Sequence, residues 1–337
     1  MDHMDDELTT LVASVAARLP APARWPSAVP RPGQTDAQWR QATARIRSEH
    51  DAAAIRGSRL IREGGEDIPV GSISYQDIPV ADGAVTGRIY RPATAAGPLP
   101  ALVVLHGGAW WMGGGAAGFD LNDGLCRALC AGIGAVIVNL DYRLAPEHRF
   151  PTQLDDAYAA LCWTADPASG LGVDPGRLGI LGISSGGNVA AAAVLMARDR
   201  GGPALRAQVL VSPSLDCTIG SKSMQEDPAL LAGAMLLRQL YTQGQSDLTL
   251  PYLSPVLAAD LTDLPASLIS VGDFDPLRDD GLRYGRRLAE AGVPTTVNRY
   301  PMTHTVSLPA VHRQWLADTI AGTRELLLVP ATESSDA

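Results

Sequence analysis

From residue 100 onward, short and almost wholly apolar runs alternate with segments of helical length, and few folds accept that pattern. The runs are "PALVVLHG", "AVIVNLDY", "LGILGIS", "AQVLVSPS", "ASLISVGDF" and "TTVNRYP". Strands that are apolar on both faces belong inside a parallel sheet covered by helices on each side. The intervening segments 118–132, 151–167, 186–199, 277–291 and 307–327 supply those helices. Two earlier runs, "SISYQDIPV" and "VTGRIYRP", follow one another too closely for a crossover and predict an antiparallel edge. The expected fold class is therefore α/β, with an eight-stranded, mostly parallel sheet flanked by helices.

Two regions fall outside this alternation. Residues 1–70 read as an N-terminal helical segment, with "DDELTTLVASVAARLP" and "TDAQWRQATARIRSEHDAAAI" separated by the Pro-rich "PAPARWPSAVPRPG". Residues 217–262 are too long for a simple connection and contain a helix around 228–243. Both are expected to cover one end of the sheet as a cap and to enclose a ligand. The core is then 71–216 and 263–330, with 331–337 a polar tail that frays.

Composition narrows the partners. A formal net charge of -9 argues against nucleic acid and anionic membrane surfaces. No apolar run is long enough for a membrane helix, and the acidic start "MDHMDDELTT" is unlike a signal peptide, so a cytoplasmic location is expected. Cys126, Cys130, Cys162 and Cys217 lie mostly in apolar stretches and read as buried thiols. Cys126 and Cys130 are four apart, but no second ligand pair completes a metal site, and neither metal nor cofactor is expected.

The chemistry concentrates in "GISSGGN", residues 182–188, between an apolar run and the alanine-rich "VAAAAVLMA". Gly182-Ile183-Ser184-Ser185-Gly186 fits G-x-S-x-G, a strand-to-helix turn that holds a strained, exposed nucleophile. Taken alone the pattern is more often an ordinary Gly/Ser turn; the strand before it and the helix after it bring the nucleophile reading of Ser184 level with that, with Ser185 as the rival hydroxyl. A serine hydroxyl needs a base oriented by a carboxylate. Of six histidines, His3, His50 and His148 fall in the extension or a loop and His312 inside a surface helix, while His106 ends an early strand. His304, in "RYPMTHTV" after the last strand, is the expected base. Between them, "VGDFDPLRDDG" offers Asp275, followed by Pro276 at a first helical position, with Asp273 as runner-up. Asp279 and Asp280 fall in the next helix's first turn, where they complement its dipole. The glycines of "HGGA" let backbone amides turn toward an oxyanion, joined by the amide of Ser185.

Together the segments "LHGGAWWMGG", "NLDYRLAPEHRFP", "LGISSGGNVAAA", "LSPVLAADLTDLP" and "GDFDPLRDDG" resemble the hormone-sensitive-lipase-like carboxylesterases, the bacterial group IV esterases of the α/β-hydrolase fold; the last is followed by the similar "YGRRLAEAGVPTTVNRYPMTH". The resemblance spans roughly residues 75–320. It implies Ser184 as nucleophile, Asp275 as orienting acid and His304 as base, acting through an acyl-enzyme on small to medium carboxylic esters. It also implies an oxyanion hole from the amides of Gly107, Gly108 or Ala109 and of Ser185, with His106 as a structural anchor. Trp110, Trp111, Met112 and Ile183 are expected to line the substrate pocket, although core packing beneath the cap would also suit the three loop residues. Such folds can pair through an edge strand, here near 295–300, so a homodimer is a family-level expectation. The chain departs from the family at Ile183, where an acidic residue is usual, at Ser185 in place of Ala and at Ala109 in place of Gly. Thr305-Val306 also replaces Gly-Phe. These changes point to a member adapted to a particular substrate, as in specialised metabolism. The same residues could serve acyl transfer, lactone formation or elimination, and a non-catalytic receptor would keep the pocket without turnover.

Overall fold

The computed structural model describes residues 4–19, 24–61, 67–94, 97–226 and 228–328. The polar tail 331–337 lies outside the described residues. The eight strands are β1 (Ser72–Val80), β2 (Gly83–Arg91), β3 (Leu99–Leu105), β4 (Val136–Asp141), β5 (Val173–Ile183), β6 (Ala207–Val211), β7 (Ala266–Phe274) and β8 (Thr295–Thr303). They form one sheet in the order β1-β2-β4-β3-β5-β6-β7-β8. β1 and β2 pair antiparallel, as do β2 and β4, and every other pairing is parallel. The antiparallel edge and parallel centre follow from connection length, since only a tight turn separates Val80 from Gly83.

The helices are α1 (Asp6–Arg18), α2 (Asp36–Ile61), α3 (Gly115–Leu129), α4 (Thr152–Ala165), α5 (Ser185–Asp199), α6 (Lys222–Gln225), α7 (Pro228–Thr242), α8 (Arg278–Glu290) and α9 (Pro309–Leu328). Every residue of β3 is buried, and residues 185–197 of α5 are buried around the whole circumference. Small side chains explain the latter: the alanine run lets α5 sit close on β5 and β6 while α4 covers its outer side. Each fully buried Leu, Ile or Val in these strands contributes about 1.5–3 kcal/mol relative to exposure.

α3 begins three residues before the sequence-based boundary because Asp141 Oδ1, at the end of β4, accepts the Gly115 amide at 2.8 Å and supplies the missing N-terminal partner. Its C-terminus passes through a π-helical turn, Cys130–Gly134. Among the described residues no helix is long and apolar enough to cross a membrane.

Candidate active site

Three strand ends converge at one edge of the sheet. Ser184 follows β5, Asp275 follows β7 and His304 follows β8, all at carboxyl ends of parallel strands, where open α/β sheets place their ligands. Ser184 has φ 55° and ψ -117°, a backbone state that costs of order 1–3 kcal/mol for a residue with a side chain. Packing imposes it. A Cβ on Gly182 would lie 2.2 Å from Gly186 O, and one on Gly186 would lie 2.4 Å from the carbonyl oxygens of both Leu105 and His106. The turn is also tied at both ends of its peptide, for Ser184 N donates to Val211 O at 2.9 Å and Ser184 O accepts from Ser214 N at 3.1 Å.

This backbone presents Ser184 Oγ at 3.0 Å from His304 Nε2. On the opposite side of the ring, His304 Nδ1 lies 3.1 and 3.0 Å from the two carboxylate oxygens of Asp275. Asp275 is buried and accepts the Leu277 amide at 2.8 Å, with a further hydrogen bond from Ser212. Burial alone would raise its pKa, but the His304 charge and these hydrogen bonds outweigh it and hold the carboxyl below its ordinary value. For His304 burial opposes the imidazolium, yet the Asp275 charge and hydrogen bond prevail and lift its pKa above the ordinary value. A neutral ring held this way turns an acceptor nitrogen toward the hydroxyl, the arrangement general-base catalysis requires.

The rival carboxylates are engaged elsewhere. Asp273 Oδ1 pairs with Arg299, 2.8 Å from Nε. Asp279 accepts the Ser223 amide. Asp280 does more than complement a helix dipole. It is buried, accepts the amides of Leu215 and Asp216 at 2.9 and 3.1 Å, and its pKa is pushed up to about 7 by burial.

Beside Ser184 runs the loop from His106 to Gly114. Gly108 at φ 127° takes a conformation that glycine tolerates, while Ala109 and Trp110 sit at φ 50° and 61°. Gly108 O accepts the amides of both Trp111 and Met112, which tightens the turn. The amides of Gly107, Gly108, Ala109 and Ser185 donate to no other described residue. A Cβ on Gly107 would stand 3.3 Å from Ser184 Cβ, so this backbone borders the serine. His106 is buried, stacks on Tyr142 at 4.2 Å and contacts Gly107 O through Nδ1 at 2.7 Å; its own carbonyl accepts the Tyr142 hydroxyl at 2.7 Å. Burial lowers its pKa.

A cavity of about 290 Å³ opens onto Ser184 and His304. Trp110 lines it, stacked on Tyr241 of α7 at 4.6 Å. Trp111, Met112 and Ile183, expected in the pocket, are absent from its wall. Trp111 is fully buried against His50 and Trp25 with ring centroids 5.3 and 6.3 Å away, and Met112 and Ile183 pack against the apolar core. Its wall is built instead from Trp25, Ala109, residues between Ser214 and Arg238 such as Ile219, Met224 and Leu237, and Pro276, Leu277 and the buried Asp280 at the start of α8. These residues are hard to find by motif, because they meet the serine only through tertiary packing. The sequence signal for most of them is the placement of residues 1–70 and 217–262 outside the strand-helix alternation, as segments expected to cover one end of the sheet.

Comparison with known proteins agrees with this architecture. A family model described as alpha/beta hydrolase fold matches residues 102–307. Esterase LipI of Mycobacterium tuberculosis is 39% identical over 256 residues, covering 72% of this chain and 78% of that protein. The arylesterase of Saccharolobus solfataricus is 37% identical over 235 residues, 67% of this chain and 74% of its own length. Among solved structures, the hyperthermophilic esterase from Pyrobaculum calidifontis superposes with a TM-score of 0.80 at 30% identity, over 96% of this chain and 99% of that one. With the sheet order, the turn at Ser184 and these likenesses in hand, the chain belongs to the hormone-sensitive-lipase-like carboxylesterases of the α/β-hydrolase fold.

Proposed function

We propose that this carboxylic ester hydrolase cleaves small to medium esters through a Ser184–His304–Asp275 relay and an acyl-enzyme. Ser184 Oγ attacks the ester carbonyl while His304 Nε2 accepts its proton; the tetrahedral intermediate collapses, and the alcohol departs with that proton. Water then attacks the acyl-enzyme with His304 again as base, freeing the acid and restoring Ser184. The negative oxygen of each intermediate rests on amides of Gly107, Gly108 or Ala109 and of Ser185. Such a donor contributes about 3–4 kcal/mol to the transition state. Residues 1–70 and 217–262 act as the cap that shields the reaction, and the modest cavity they help to bound sets the size limit on the substrate.

The observation that carries this reading is the 3.0 Å approach of Ser184 Oγ to His304 Nε2, with the ring's other nitrogen on a buried carboxylate. A series of p-nitrophenyl esters of increasing acyl length tests it. Turnover should favour the shorter members and fall at least about 10⁴-fold in Ser184→Ala. Tight binding with no turnover by the unmodified protein would contradict hydrolysis, as would a Ser184→Ala variant that retains activity. Appearance of a new ester on addition of an alcohol would assign acyl transfer instead.

A further inference from the structure

The loop that carries the oxyanion amides has the least relaxed backbone near the site, with positive φ at Gly108, Ala109, Trp110 and Gly113. Its distal end is held by two carboxylates. One is Asp141, 26 positions downstream at the end of β4, which takes the Gly115 amide. The other is remote: Asp51, on α2 and 62 positions upstream, accepts the Gly113 amide through Oδ1 at 2.8 Å. Gly113 in turn abuts the amide-bearing end of the loop. A Cβ placed on it would lie 2.6 Å from Gly107 O and 3.0 Å from His106 Nδ1, so a shift of Gly113 is transmitted to the peptide beside Ser184.

Around Asp51 the helix is fastened to the same region by independent contacts. Arg47, one turn earlier, donates to Ala145 O at 2.8 Å and pairs with Glu147, while His50 meets Trp111 edge-on. Burial raises the Asp51 carboxyl pKa, against the opposing influence of the Gly113 hydrogen bond and the Arg47 and His50 charges. A half-buried carboxylate that spends its bond on a loop amide is poorly explained by helix docking alone, which Arg47 already provides.

We infer that Asp51 is a positioning residue for ester hydrolysis, holding the Gly107–Ala109 amides in register through the Gly113 amide, so that the N-terminal segment forms part of the oxyanion machinery as well as a cover. The inference rests on the esterase reading of the site. Its effect belongs in the transition state, because the loop binds the oxyanion and has little hold on the ground-state ester.

Steady-state kinetics and inhibition by a trifluoromethyl ketone, which forms a tetrahedral adduct with an activated serine, provide the test. Asp51→Ala should lower kcat about tenfold or more, with KM within about twofold, and weaken the ketone by a similar factor. Asp51→Asn, which keeps an acceptor oxygen, should recover most of both losses. Arg47→Ala loosens the same helix without touching Gly113 and should leave kcat and ketone affinity near the unmodified values. Should Asp51→Ala fail to fold, Asp51→Leu compared with the similarly shaped Asp51→Asn gives the same contrast. Unchanged kcat and ketone affinity in the Ala or Leu variant would overturn the inference. So would an equal loss in Arg47→Ala, which would reassign the effect to helix docking. Ser184→Ala separates the two levels: its inactivity beside a fully active Asp51→Ala sinks only the role of Asp51.

Discussion

The turn at residues 182–188 and the loop at 106–114 lie side by side and both force side-chain-bearing residues into positive φ, yet they are stabilised in different ways. The turn is held by backbone against backbone, with Gly182 and Gly186 pressed onto neighbouring carbonyls and Ser184 bonded to the peptides of β6 and Ser214. The loop borrows side chains from distant elements: Tyr142 beneath His106, Asp141 at Gly115, Asp51 at Gly113, and Tyr241 and Asn188 at Trp110. In the proposed mechanism the reacting hydroxyl is thus placed by main-chain geometry that a local motif can encode, whereas the amides that would stabilise charge depend on long-range contacts. Perturbing the first region should give large, nearly all-or-none effects, and perturbing the second should give graded ones.

The largest effect is expected where the strand ends supply proton chemistry. Asp275→Asn should lower kcat by about 10⁴-fold, since His304 loses the partner that orients it. It should also move the acid limb of the kcat/KM profile to lower pH. His304 must be neutral to act as base, and Asp275 raises its pKa, so in the unmodified enzyme activity is lost as pH falls through a value above about 6.5. An unchanged limb would assign it to another group.

Next comes the packing of the turn itself. Gly186→Ala inserts a methyl 2.4 Å from two carbonyl oxygens and should destabilise the fold by about 3 kcal/mol, read from urea unfolding. Gly233→Ala on α7, where a Cβ meets nothing within 4 Å, should be neutral or stabilising by up to about 1 kcal/mol. Equal costs at the two positions would erase the contrast between backbone-locked turn and open helix.

The smallest effect is expected at the loop's anchor. Tyr142→Phe removes the hydroxyl bonded to His106 O and should cost about 1 kcal/mol in stability, with a several-fold fall in kcat at unchanged acid limb. A loss as large as that of Asp275→Asn would mean that the two regions are not separable.

These differences also explain what could be read from the sequence. The sheet was legible because β3, β4, β6, β7 and the second half of β5 are buried on both faces and therefore nearly uniform in apolar character. Ser184, Asp275 and His304 could be nominated because each follows a strand and comes in a recognisable order. Pro276 at a first helical position favours Asp275 over Asp273; that Asp273 pairs with Arg299 instead is a tertiary contact that no local pattern contains. The cavity wall was less legible. Trp110 and Trp111 are adjacent, but with Trp110 at φ 61° their rings go to different surroundings, one against Tyr241 and the other against His50. Asp51 reads as one more charge on a polar helix until α2 is docked on the loop.

Mass spectrometry after exposure to an organophosphate tests the central geometry most directly. One dialkylphosphoryl group should appear on the peptide containing Ser184, with loss of the reagent's leaving group, and be absent in His304→Ala, because in the proposed mechanism the hydroxyl reacts when the ring takes its proton. Labelling at Ser185, or esterase turnover with Ser184 unmodified under saturating reagent, would contradict the account.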